Sequence, residues 1–214
     1  MRRREDVAAV LLGLSVLAGA GAAARSGTVG SAEFAVFGRI NRLPKQLEGP
    51  MDAVQFLGTL GISPVVAAIA LLGGRRRLAG AIVTTTALKL VSERLVRRLL
   101  VQRGRPGSTI HGAIVRRREH ATGLGFVSGH VALATGLAWT TMPYQGAGWR
   151  RVTRGAVALV ALSRMYLGAH SPLDVVGGAG LGLACGALAD LAVGIDVKPR
   201  TWSASPLTEG QIRR

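Results

Sequence analysis

The 214-residue chain is 49% hydrophobic and carries 30 glycines against only 18% charged residues, while 27 Lys and Arg against 11 Asp and Glu leave a formal net charge of +16. So apolar a composition excludes an intrinsically disordered chain, and a lone cysteine, Cys185, excludes an intrachain disulfide framework and a cysteine-based metal site. A soluble nucleic-acid binder is disfavoured as well, because aromatic residues make up only 4% and the basic residues fall between long apolar runs.

Six apolar stretches approach the roughly 17–25 residues that a helix needs to cross a bilayer. They are 7–24, 53–73, 78–96, 125–143, 153–170 and 172–194. The expectation is an all-α integral membrane protein, a six-transmembrane-helix bundle. It divides into an N-terminal transmembrane helix (1–24), an exposed or interfacial loop (25–52), a membrane core (53–196) and a polar cytoplasmic tail (197–214). The first stretch has an alternative as a cleaved signal peptide, since Arg2–Arg4 precede it and small residues at Ala22–Ala24 close it. Glu5 and Asp6 in its charged region and the length of its apolar run favour a retained helix.

The third and fifth stretches carry Lys89, Glu93 and Arg94, and Arg164. Charges inside spans are costly and mark function. Lys89 and Glu93 stand four apart, where they can neutralise each other. In the sixth stretch Gly178, Gly182 and Gly186 repeat every fourth residue, a face that permits close helix packing within the molecule, with Cys185 inert beside it.

Basic residues at Arg2–Arg4, Arg75–Arg77, Arg150, Arg151, Arg154 and the C-terminal tail fall on one side of a six-span chain, which puts both termini in the cytoplasm of a multi-pass cell-membrane protein. The other side is not poor in charge. Between spans three and four and on their flanks lie Arg94, Arg97, Arg98, Arg103, Arg105 and Arg116–Arg118, an excess that phosphate binding would explain. Arg94, Arg97 and Arg116–Arg118 are expected at the headgroup level, attracting anionic lipid. His111 and His120 are expected at the surface.

Three clusters lie on that non-cytoplasmic side. Arg98-x6-Arg105-Pro106 offers guanidinium forks that match phosphate oxygens. Ser128-Gly129-His130 puts a hydroxyl, a backbone amide and an imidazole at a helix N-terminus, which favours anions. Ser163-Arg164-x5-His170-x3-Asp174 runs from span five into span six, with Ser171 as N-cap, Pro172 at the first helical position and Asp174 at the third. A carboxylate so placed can reach one nitrogen of His170, fix its tautomer and leave the other as nucleophile or base. Taken alone, each cluster also fits an ordinary helix cap or interfacial charge.

Together the clusters resemble the signature of the type 2 phosphatidic acid phosphatase family, membrane lipid phosphatases related to vanadium haloperoxidases, usually written K-x6-R-P, P-S-G-H and S-R-x5-H-x3-D. The third motif matches in full, the second has Val127 in place of Pro, and the first has Arg98 in place of Lys. The resemblance covers about residues 50–194. It implies that His170 attacks phosphorus with Asp174 orienting it, and that His130 protonates the leaving group and later deprotonates the resolving water. Arg98, Arg105, Arg164, Ser128 and Gly129 would hold the phosphoryl oxygens, with no metal or other cofactor. The implied activity is hydrolysis of a lipid phosphate monoester or diphosphate, phosphatidate-like or polyprenyl, at the non-cytoplasmic face. The alternatives are a lipid phosphotransferase with the same histidine chemistry and a non-catalytic protein that binds anionic lipid.

Overall fold

The computed structural model describes residues 2–117 and 119–195; the expected tail, 197–214, lies outside the described residues. Helix α1 (Arg2–Ala24) is the first apolar run. Two helices, α2 (Ser31–Asn41) and α3 (Glu48–Gln55), follow where an exposed or interfacial loop was expected over 25–52. The loop expectation overlooked a short buried side. Phe37 and Asn41, one helical turn apart, are both buried.

The second apolar stretch is broken, not straight. After α3 the chain passes through a 3-10 turn at Phe56–Gly58 and becomes extended at Thr59 before α4 (Ile62–Leu72). The two limbs meet at 57°. Gly58 sits at the break because a side chain there would collide with the backbone of His130, whose carbonyl oxygen lies 2.6 Å from the position of a Cβ. Helix α5 (Arg76–Leu95) ends in a π-turn, Val96–Leu100. Helix α6 (Pro106–Thr109) is a single turn, and α7 (Gly129–Thr141), α8 (Ala147–Tyr166) and α9 (Pro172–Val193) follow it among the described residues.

Among the described residues α1 and α9 are long and apolar enough to cross a membrane, and the bent pair around residues 59–61 makes a third span if counted as one. The expected count of six is not reached by these criteria. Thirteen residues of α7 extend only about 20 Å at 1.5 Å per residue, short of a hydrocarbon core of about 30 Å. Helices α5 and α8 carry charged residues along their length. The fifth stretch also ends earlier than expected, at Tyr166, so His170 lies in the turn between α8 and α9 and not in a span.

Helix α9 is the centre of the bundle, packed against α1, α5 and α7. Its glycines make this possible. Toward α7, Gly178 faces the carbonyl of Ser128, Gly182 that of Ala132, and Gly186 that of Gly136, with no room for a Cβ at any of the three. Toward α1, Gly180 and Gly13 lie against each other's backbone in the same way. Backbones at this separation gain dispersion contacts that larger residues would prevent. The N-terminal helix is tied in further where Trp139 Nε1 donates to Asp6 Oδ1 at 3.0 Å.

Gly182→Leu should therefore force α7 and α9 apart and lower stability by about 1–3 kcal/mol or more, read as the unfolding midpoint in detergent. Gly155→Ala, on a part of α8 with open space around it, should raise stability by up to about 1 kcal/mol. Equal effects would show that the seam tolerates a side chain.

Candidate active site

The site is assembled where α9 begins. Asp174, fully buried, accepts the backbone N–H of Ser171 on its Oδ2 at 2.8 Å, which caps the helix. Its backbone carbonyl receives the N–H of Ser128 at 2.9 Å, so the same residue holds the first turn of α7 against the first turn of α9. Arg103 stands behind it, its Nη1 3.9 Å from Asp174 Oδ1, and grips Glu33 with Nη1 at 3.0 Å and Nη2 at 2.6 Å. Glu33 Oε1 in turn accepts the N–H of Leu173 at 3.0 Å. This buried pair locks α2 to the start of α9.

His170 is 2% exposed. Gly168, at φ +76°, lets the chain turn out of α8 toward it while lying against the backbone of Ile114. Its Nδ1 is 2.9 Å from the carbonyl oxygen of Gly125. A carbonyl can only accept, so Nδ1 carries the proton and Nε2 keeps its lone pair. The expectation that Asp174 fixes the tautomer is corrected by this contact. Asp174 Oδ2 is 3.8 Å from Nδ1, beyond hydrogen-bond reach, and supplies negative charge instead. Gly125 can come this close because it has no side chain; a Cβ would meet Gly104 O at 2.9 Å and Asp174 Oδ2 at 3.1 Å. Burial holds His170 below the usual imidazole range, Asp174 opposes this, and Arg164 and Arg105 reinforce it.

A cavity of about 510 Å³ brings the separated clusters together: His170, His130, Gly129, Arg164 and Arg105 all line it. The break in the second apolar stretch closes one wall with Gly58, Thr59 and Leu60. Ser128 is the N-cap residue of α7, fully buried, and its Oγ has no hydrogen-bond partner. Among the described residues no three His, Cys, Asp or Glu side chains cluster as metal ligands would.

Arg98 is not in this cavity. It is exposed and lines a neighbouring one of about 330 Å³ with Arg94, Arg105 and His120. Arg97, one residue earlier, lines both. The π-turn at the end of α5 changes which side chain faces inward, a common device at functional sites. Arg97 Nη2 donates to the Val127 carbonyl at 2.8 Å and lies 2.7 Å from Glu93 Oε1, while Glu93 Oε2 lies 2.6 Å from Lys89 Nζ. Lys89 and Glu93 pair as their spacing predicts, and Arg97 joins them in place of reaching headgroups.

Arg116 also departs from its expected headgroup position. It is buried, stacks at 4.1 Å on the Tyr166 ring and donates to the Tyr166 carbonyl at 2.6 Å. Asn41 fixes the same region, joining the backbone of Ile114 to those of Met165 and Tyr166. His111 and His120 are exposed. Glu119, which no motif marked, accepts Arg164 Nη1 and Nη2 at 2.7 and 2.9 Å. Burial first, then Arg97, lowers the Arg105 guanidinium, and Glu119 acts against both.

A family model described as PAP2 superfamily matches residues 76–194, more than half of the chain and the whole of α5 to α9. The fold is similar to that of Aquifex aeolicus LpxE, at 20% identity and a TM-score of 0.66, over 72% of this chain and 92% of that one. It is similar as well to the first transmembrane PAP2 type phosphatidylglycerolphosphate phosphatase from Bacillus subtilis, at 20% identity and a TM-score of 0.67, over 89% and 97%. A sequence comparison with curated proteins finds no match.

The His170 environment has a direct readout. In an NMR titration, with the resonance assigned by its loss in His170→Asn, the imidazole should protonate below the ordinary value of about 6.5. Burial disfavours the cation, so the neutral ring persists to lower pH; a midpoint at or above 6.5 would contradict the buried geometry.

Proposed function

The chain belongs to the PAP2 superfamily, and from that premise we propose that it is an integral membrane lipid phosphatase acting on a lipid phosphate monoester or diphosphate through a phosphohistidine intermediate. The observation that carries the proposal is the convergence of both histidines with Arg105 and Arg164 on one cavity, with Nε2 of His170 left unprotonated.

The chemistry follows from these groups. Nε2 of His170 attacks phosphorus, and the bond from phosphorus to the lipid oxygen breaks. His130, in its protonated form, gives its proton to that leaving oxygen. A water then attacks the phosphohistidine, giving its proton to His130, and phosphate leaves with His170 restored. Arg105 and Arg164 hold the non-bridging oxygens, assisted by the Gly129 amide and the unpartnered Ser128 hydroxyl, and stabilise charge in the transition state. Arg97 takes the part that the motif assigned to Arg98. Asp174 holds His170 indirectly, by joining the two helix starts and balancing the charge of the phosphorylated ring. Guanidinium groups supply the positive charge, so a metal is not needed for the reaction.

In this reading the protein has six membrane-crossing segments, cytoplasmic termini and an active site at the opposite face, and it keeps the substrate's tail in the bilayer. Exposed Arg94 and Arg98 at the mouth of the site attract anionic lipid.

Purified protein should release phosphate from a lipid phosphate in the presence of EDTA. His170→Ala and His130→Ala should each lower kcat by about a hundredfold or more while the fold is retained; full activity in either would overturn the mechanism. Arg97→Ala should lower kcat/KM by about ten- to a hundredfold, and Arg98→Ala by less. The reverse order would restore Arg98 to the catalytic cavity.

A further inference from the structure

We infer that Glu119 occupies the phosphoryl subsite of the resting enzyme, as a carboxylate that a substrate's phosphate must displace, and that this competition selects terminal phosphates over phosphodiesters. The inference rests on the proposed role of Arg105 and Arg164 as phosphate ligands.

Glu119 is held as a phosphate would be. Its two oxygens take the two terminal nitrogens of Arg164 at 2.7 and 2.9 Å, the parallel fork by which a guanidinium binds either anion. Oε2 also lies 3.8 Å from Arg105 Nη1, so one carboxylate stands between two of the arginines that line the cavity with His170. Arg164 Nη1 donates to Gln55 Oε1 as well, so both hydrogens of that nitrogen are engaged. Its Nε is buried without a partner. A phosphate approaching His170 therefore meets an Arg164 whose fork is already closed.

An exchange of anions resolves this at small cost. A buried guanidinium without a counter-ion is strongly unfavourable, and the swap keeps Arg164 paired before, during and after turnover. It also makes the subsite selective. A phosphodiester headgroup carries one negative charge, as Glu119 does, and gains little by replacing it. A terminal phosphate carries about −1.5 to −2 charge at neutral pH and a third acceptor oxygen, enough to displace the carboxylate. In a bilayer whose bulk lipids are phosphodiesters, an open arginine fork would be saturated by non-substrates; Glu119 keeps it closed to them.

The test is the binding of orthophosphate, and of a short-chain phosphodiester lipid, to the purified full-length protein in detergent by titration calorimetry. Glu119→Gln keeps the side-chain shape and removes the charge; Glu119→Ala is the second variant should the first fold poorly. Both should bind orthophosphate about ten- to a hundredfold more tightly than the wild type, and the diester, which the wild type resists, should become a competitive inhibitor of lipid phosphate hydrolysis. Unchanged or weaker orthophosphate binding in the variants, with turnover of the wild type still dependent on His170, would overturn the inference alone and make Glu119 a positioning group for Arg164. Absence of orthophosphate binding in every form would overturn both this inference and the role proposed for the arginines.

Discussion

The backbone of α7 lies directly on the backbone of α9, and every feature of the site depends on that approach. Gly178, Gly182 and Gly186 leave no side chain between the helices, so their first turns come close enough for the Ser128 N–H to reach the carbonyl of Asp174. That single bond places the helix bearing His130 beside the turn bearing His170. A larger residue in the seam would move one histidine relative to the other, and a displacement of about 1 Å is sufficient to cost catalysis about a hundredfold.

A second constraint is electrostatic. The chain carries a formal charge of +16, yet among the described residues most buried cations are met by a carboxylate, Arg116 being held instead by the Tyr166 ring and carbonyl. Arg103 has Glu33, Lys89 and Arg97 share Glu93, and Arg164 has Glu119. An unpaired buried charge costs several kcal/mol, so each of these cations is held beside a counter-charge. Glu33 supplies it within the scaffold, and Glu93 in the wall of the cavity. Glu119 supplies it for Arg164, which itself lines the cavity.

Much of the site is legible in residue spacing. Ser171-Pro172 with Asp174 marks the start of α9, Lys89 and Glu93 pair at one helical turn, and the four-residue glycine repeat packs within the molecule. All are local relations, determined by the pitch of a helix. Relations that depend on how the chain returns on itself were not legible. Glu119 and Arg164 are 45 residues apart and Glu33 and Arg103 are 70 apart, with no motif to join them. The buried side of α2, Phe37 and Asn41 alone, was too short to stand out in the sequence. Arg97 and Arg98 are adjacent and chemically identical, and a π-turn selects between them.

By itself the sequence determined a helical, apolar chain of the membrane type, with clustered arginines and with two histidines close to the starts of α7 and α9, because apolar run length, capping and charge are properties of short segments. The tertiary structure alone decided which acceptor sets the tautomer of His170, which arginine enters the cavity and which carboxylate closes the Arg164 fork. Each of those is settled by contacts of a few ångströms between distant segments, and such contacts exist only once the glycine seam has brought the helices together.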